Sequence, residues 1–187
     1  MFPIRMKRTP AEKEAIYALP FNMQYEIVCV NIATHCRVWK HVLVNPTARD
    51  YWQVYAVAIA YTEECDCWIN PEVVPQAENG RRKLYPGITD NANPDLTTRY
   101  GFGDVKSPES KNNIVSNANM ACKQGGIVVI TDLAMKESLS MDDVDKFTAR
   151  IFSDKNVDQT GKPNYTKNEV HWLVNCRIIK CNRPRKN

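Results

Sequence analysis

The sequence predicts a mixed α/β fold, and three stretches carry that prediction. Ile127-Val128-Val129-Ile130-Thr131 is a continuous apolar run bounded by turn signals, as expected of a strand buried on both faces. Ala48 to Glu64 is apolar nearly all round, the pattern of a central, buried helix. Glu169–Val174 and Cys176–Cys181 are two β-rich runs that meet at Asn175, as in a hairpin. A chain of 187 residues with 43% hydrophobic and 25% charged residues has the size and composition of one globular domain.

In chain order, Thr9-Pro10-Ala11-Glu12 reads as a helix start, with Thr9 as N-cap, proline at the first position and Glu12 placed to close a capping box. That helix must end before Pro20. Tyr25 to Val44 reads either as two strands or as a helix followed by a strand. Asn45-Pro46-Thr47 breaks the pattern, and Thr47 with Asp50 marks the start of the apolar helix. Its one strongly polar side chain between Tyr51 and Tyr61 is Gln53, either a structural hydrogen-bonder or a residue facing a polar site.

A short strand follows near Cys67, then a polar loop from Pro75 to Thr89. Asp95–Thr98 and Tyr100–Lys106 form two more strands, with Arg99-Tyr100-Gly101 as their turn. Ser110 to Gln124 is helical and stops at Gly125-Gly126. Ser140 to Ser153 is an amphipathic helix capped by Ser140, with Asp142 and Asp143 favourably placed in its first turn. The order is helix, three strands, helix, strand, then an appended helix and hairpin.

Several classes are excluded or disfavoured. The longest apolar run, Val54–Tyr61, is far short of the ~20 residues a membrane span needs. The basic N-terminus has no apolar segment behind it that reads as a signal peptide. Seven cysteines without a CxxC pair point to free, partly buried thiols in a reducing compartment rather than to a structural zinc site. The net charge of +4 permits an anionic partner without requiring one. Arg177, Lys180, Arg183, Arg185 and Lys186 crowd the end of the chain, and Arg81-Arg82-Lys83 form a second knot. Such clusters are either solvated surface or contacts to a nucleic-acid backbone.

The chemistry lies in Pro94-Asp95 and, shortly after, Asp104-Val105-Lys106-Ser107. Asp104 and Lys106 are two apart on a predicted strand and so share a face. Asp95, across the turn, would bring a second carboxylate. A hard divalent cation takes such a pair, and the ammonium can orient a water or steady a phosphate. His171, between Val170 and Trp172 on a predicted strand, reads as packed; a metal-free ribonuclease using a histidine base is the competing arrangement.

This order of elements, with acids on the second and third core strands, resembles the PD-(D/E)xK nuclease superfamily and its αβββαβ core. Gly103-Asp104-Val105-Lys106-Ser107-Pro108, the Asn-rich helix after it, Lys123-Gln124-Gly125, Ile127–Ile130 and Glu169–Val174 are similar to one family. It is the C-terminal tRNA-nuclease domain of CdiA-type contact-dependent growth-inhibition toxins, found also in other polymorphic toxins and phage-related proteins. The likeness runs over residues 47–182, which divides the chain into an N-terminal extension of unknown role (1–46) and a nuclease-like domain (47–187).

The resemblance implies an endonuclease that cleaves tRNA in the cytoplasm, with an immunity protein as partner. It implies a divalent metal, Mg2+ first with Zn2+ or Mn2+ as alternatives, held by Asp95 and Asp104. Lys106 would position the water or the phosphate, and Ser107 would assist. The first helix of this superfamily commonly supplies a Glu; here Gln53 occupies the buried polar position, which would leave the site one carboxylate short. Asn113, Asn117 and Gln124 would line the substrate side, and Arg177, Lys180 and Arg183 would contact the nucleic-acid backbone. A DNA endonuclease of the same fold and a non-catalytic nucleic-acid-binding module are the alternatives.

Overall fold

The computed structural model describes residues 8–71, 92–123 and 126–185. In chain order these form α1 (Pro10–Tyr17), α2 (Phe21–Gln24), β1 (Tyr25–Val30), β2 (Arg37–His41), α3 (Tyr51–Tyr61), β3 (Cys67–Ile69) and β4 (Leu96–Thr98). Then come β5 (Gly101–Lys106), α4 (Ile114–Cys122), β6 (Ile127–Thr131), α5 (Met141–Ile151), β7 (Glu169–Val174) and β8 (Arg177–Asn182). The fold is mixed α/β: an 8-stranded sheet runs in chain order from β1 to β8. The pairs β2–β3, β5–β6 and β6–β7 are parallel, and the other four are antiparallel.

Local chemistry sets most of the element ends. Thr9 and Glu12 close a capping box at α1, and Ser140 and Asp143 do the same at α5, so orphan amides at both helix starts find side-chain oxygens. The β7–β8 hairpin turns through Asn175 and Cys176, both at positive φ (49° and 60°), the handedness a tight turn needs to match strand twist. Gly101 at φ 108° lets the chain turn from β4 into β5 after Arg99-Tyr100.

Tyr25 to Val44, ambiguous in sequence, holds two strands and no helix after Gln24. Those strands pair into the same sheet as the rest, so residues 25–41 extend the sheet beyond β3. The apolar helix is shorter than the pattern predicts and is buried on one side only. It runs from Tyr51 to Tyr61, and Trp52 and Ile59 are 49% and 39% exposed. Uniform apolarity hid this, because periodicity cannot show which side faces water when every side is apolar. Gln53 is half-buried, and its side chain makes no hydrogen bond among the described residues, so of the two roles open to it in sequence it does not fill that of a structural hydrogen-bonder.

Two apolar cores flank the sheet. On one face α3 covers Cys67, Ile69, Leu96, Val105 and Val129. On the other, α4 and α5 cover Val128, Ile130, Val170 and Trp172. Alternation along β5 and β6 produces this division: Val105 pairs with Val129, whereas Asp104 and Lys106 pair with Val128 and Ile130. Gly126 allows β6 to begin close against β5, since a Cβ there would lie 2.4 Å from the Phe102 carbonyl oxygen. All seven cysteines are free thiols. Among the described residues no helix is long and apolar enough to cross a membrane. The predicted loop from Pro75 to Thr89 with its Arg81-Arg82-Lys83 knot, and also Gln124, Gly125 and Lys186, lie outside the described residues.

Candidate active site

The β4–β5 ladder pairs Thr98 with Gly101, Thr97 with Phe102 and Leu96 with Gly103. One step further along the same register, Asp95 comes opposite Asp104. Directly opposed residues on one face have their Cβ atoms about 5 Å apart, and like charges so placed oppose folding. Here the strands part instead of pairing. The Val105 N–H, released from the ladder, donates to Asp95 Oδ2 at 2.7 Å, and the Asn70 N–H donates to the Asp95 carbonyl at 2.8 Å. Asn70 is itself held by Thr97 and by the Tyr25 hydroxyl, which brings β1 into support of the site.

Asp104 is 3% exposed, and Lys106 Nζ lies 2.8 Å from its Oδ2. The Lys106 ammonium is thus the close partner of Oδ2, whereas Ser107 Oγ is buried with no hydrogen-bond partner among the described residues. Native proteins satisfy nearly all such atoms, so the unpaired Ser107 hydroxyl marks a place with a donor to spare.

Burial pushes the Asp95 carboxyl up to about 7, and repulsion from Asp104 and, more weakly, Asp50 adds to the rise, against the pull of the Val105 amide and Lys106. Burial also raises Asp104, with Lys106 pulling it back. Asp95 keeps part of its surface open although protein closes over most of it, and the open part faces a small cavity. Between the ordinary aspartate value of 3.8 and about 7, the folded protein keeps a proton on Asp95 that the unfolded chain has lost. The unfolding free energy contributed by this group therefore falls as pH rises through that window. Buried His41, pushed down to about 4, acts in the opposite direction, losing stability as pH falls below 6.5. It is common to the parent and to Asp95→Asn, so the difference between their denaturant melts at pH 4.5, 6 and 7.5 reports Asp95 together with its repulsion from Asp104. The expected result is a parent whose advantage over Asp95→Asn shrinks as pH rises; a constant difference would show that Asp95 ionises normally.

The cavity beside Asp95 is lined by Asp50, Tyr51 and Val54 from the start of α3 and by Ile69 and Asn70 from the end of β3. Gln53 does not line it. Asp50 occupies the N-cap position of α3, yet its side chain makes no cap hydrogen bond. The carboxylate is thus left for the cavity, and Asp50 is the acid that a reading of the sequence misses. The one signal was its place at a helix start, where an aspartate is usually explained by capping. Glu63 and Glu64 are at the far end of α3, and both are engaged: Glu63 accepts from Asn31, and Glu64 binds Lys180 at 2.5 Å and also accepts from the Tyr100 hydroxyl.

The carboxylates of Asp95 and Asp104 lie close enough to repel, and such a pair is the donor type that a hard divalent cation takes. Among the described residues no three acid, histidine or cysteine side chains are gathered into a preformed cage. The ammonium of Lys106 sits against Asp104 Oδ2, the oxygen such an ion would claim. The chain matches no family model, no curated protein and no solved structure.

The remaining predicted site residues divide by what holds them. Asn113 is exposed, and its carbonyl accepts the Asn117 side-chain amide at 2.7 Å, so these two serve the first turn of α4. Arg183 donates to the carbonyls of Tyr165 and Lys167 and lies over the Phe152 ring, a structural role that basicity alone would not reveal. Lys180 is held by Glu64 and the Tyr100 hydroxyl. Arg177 is exposed beside the hairpin turn. His171 is fully buried, with Nδ1 2.6 Å from the Tyr61 hydroxyl and Nε2 3.5 Å from Glu169 Oε2, and burial pushes its pKa down. It is packed under α3, out of reach of solvent.

Proposed function

We propose that this chain is a metal-dependent endoribonuclease domain of the PD-(D/E)xK type that cleaves tRNA. The observation that carries the reading is the meeting of Asp95 with Asp104 and Lys106 where β4 and β5 part. The order from α3 through β3, β4, β5 and α4 to β6 supports it, being the αβββαβ order of that superfamily. tRNA as substrate rests on the resemblance of the motif segments.

Asp95, Asp104 and Asp50 would hold the divalent cation, with Mg2+ first among candidates. When bound, it supplies Lewis-acid polarisation of the phosphate and a more acidic water. The protein's own groups do the rest. Burial holds the two aspartates in a place where ionisation is unfavourable without a cation, so the site favours a positive charge over an empty, doubly ionised state. Lys106 Nζ donates to the phosphate or orients the water and offsets negative charge as it develops. The Ser107 hydroxyl, buried without a partner, is a second donor at the same edge. Where Gln53 leaves the site a carboxylate short, Asp50, on the cavity beside Asp95, would bring the third acid from the start of the helix.

Purified protein incubated with tRNA and with plasmid DNA, in Mg2+, Mn2+, Zn2+ or EDTA, tests the reading. Cleavage of tRNA that needs the metal and leaves the plasmid intact is expected. Plasmid cleavage alone would make it a DNA endonuclease; no cleavage under any metal would end the enzymatic reading. Asp50→Asn is expected to lower the rate about 10–100-fold, the loss typical of a supporting metal-site residue. Because Asp50 makes no cap bond, the same substitution should move the melting temperature by no more than about 2 °C. An unchanged rate would remove Asp50 from the site.

A further inference from the structure

Two loops meet at the rim of the site. One leads into α3 and carries Arg49 and Asp50; the other follows Lys106 through Ser107 and Pro108 to Glu109. They touch through Arg49 Nη2 and Glu109 Oε1 at 3.4 Å, with side chains 94% and 77% exposed. A pair so exposed adds little to stability. Its position is what matters, because it sets a guanidinium one residue from Asp50 against a carboxylate three residues from Lys106.

A nucleic acid approaching three aspartates meets repulsion unless a cation receives its backbone. Of the cations beside the site, Lys106 is held against Asp104 and Lys111 donates to Asp143 at 2.7 Å. Among the described residues, Arg49 has only its single long contact with Glu109. A guanidinium loses little by giving up one such bond and gains a two-pronged, charge-assisted contact when it takes a phosphate.

We propose that Arg49 is the residue that grips the substrate backbone next to the scissile phosphate, and that Glu109 holds it in reserve as a competitor that the phosphate displaces. The proposal rests on the nuclease reading of the site. It makes the two members of one ion pair act in opposite directions: Arg49 strengthens nucleic-acid binding and Glu109 weakens it. Glu109 acts only through Arg49, so its effect disappears when Arg49 is gone.

The test measures binding of a fluorescently labelled tRNA transcript by anisotropy, in the full chain carrying Asp104→Asn so that cleavage does not interfere. R49Q is expected to raise the Kd about 3–10-fold at low salt and to lessen the slope of log Kd against log salt by about one. E109Q is expected to lower the Kd about 2–5-fold, as a competing carboxylate is removed from a phosphate-binding arginine. E109Q added to R49Q should change nothing further. E137Q, at an exposed acid elsewhere on the surface, controls for the general effect of net charge and should shift the Kd less than E109Q does. Shifts of the same sign in R49Q and E109Q, additive effects in the double variant, or an E137Q effect equal to that of E109Q would each overturn the proposal while leaving the nuclease reading in place. Failure of the Asp104→Asn parent to bind the transcript at any salt would overturn both.

Discussion

Asp104→Asn is expected to lower tRNA cleavage by at least about 10³-fold, the scale of losing one central electrostatic group from a preorganised site. The side chain is 3% exposed and tightly surrounded, and asparagine has the same shape, so packing is kept while the charge is lost. Lys106 Nζ, now 2.8 Å from Asp104 Oδ2, would face a neutral amide and lose the partner that positions it. Repulsion from Asp104 is one of the causes that raise Asp95, so in the variant Asp95 should titrate at lower pH than in the parent. Two measurements therefore check one substitution: the single-turnover cleavage rate, and the titration of the Asp95 carboxyl carbon by NMR. A full rate in Asp104→Asn would sink the proposed site. A lost rate with no movement of Asp95 would show that the two carboxylates do not sense each other. Lys106→Ala should be as damaging, and Lys106→Arg should recover little, since a broad planar guanidinium cannot replace a compact ammonium in a half-buried niche.

The largest expected loss of stability is at Trp172. It is fully buried on β7, packed with Ile130 and Val144 against α4 and α5, and its indole N–H donates to Thr148 Oγ1 of α5 at 3.0 Å. Trp172→Ala removes that bond and leaves a cavity, at a cost of about 3–5 kcal/mol. For a domain whose net stability is about 5–15 kcal/mol, that is enough to shift the denaturant midpoint sharply or to prevent folding at 37 °C. Trp172→Phe keeps most of the volume and loses the hydrogen bond, so a smaller loss of about 1–2 kcal/mol is expected and stays measurable even if the alanine variant does not fold. Trp52→Ala is the contrast: that ring is 49% exposed, and its removal should cost no more than about 0.5 kcal/mol. Equal losses at Trp52 and Trp172 would contradict the division into a core under α4–α5 and an open side of α3.

Much of this architecture was legible in the sequence because the forces that set it act over a few residues. The Thr9–Glu12 capping box forms as read, and Ser140 caps its helix as read, with Asp143, three positions on, closing a second box. Apolar alternation and turn residues placed β4, β5, β6 and the β7–β8 hairpin to within a residue or two. The pairing of Asp104 with Lys106 on one face follows from the twofold period of a strand. Where local signals compete, reading failed or stayed open. Residues 25–41 carry apolar side chains that suit helix or strand, and the choice between them is made by pairing with β3, which lies beyond α3 in the chain.

The charged residues show the same boundary. A run of lysine and arginine states only that cations are present; whether each is available depends on partners far away in sequence. Lys180 is claimed by Glu64, 116 residues earlier, and Arg183 by the carbonyls of Tyr165 and Lys167, 18 and 16 residues back. Arg49 meets Glu109, 60 residues on, at the edge of the site. The acid at the start of α3 is the sharpest case. Gln53 stood out because polarity inside an apolar helix is conspicuous, and Asp50 did not because an aspartate before a helix already has a local explanation. Only the packing of that helix end against β3 and Asp95 separates the two, directing Asp50 into the cavity and leaving Gln53 outside it. Sequence alone thus supplied the capped helices, the strands from β4 onward and the Asp–Lys motif, each decided by neighbours within a turn or a hairpin. Tertiary structure alone decided which acids share a cavity and which cations are already taken, because those contacts form only when distant segments are brought together.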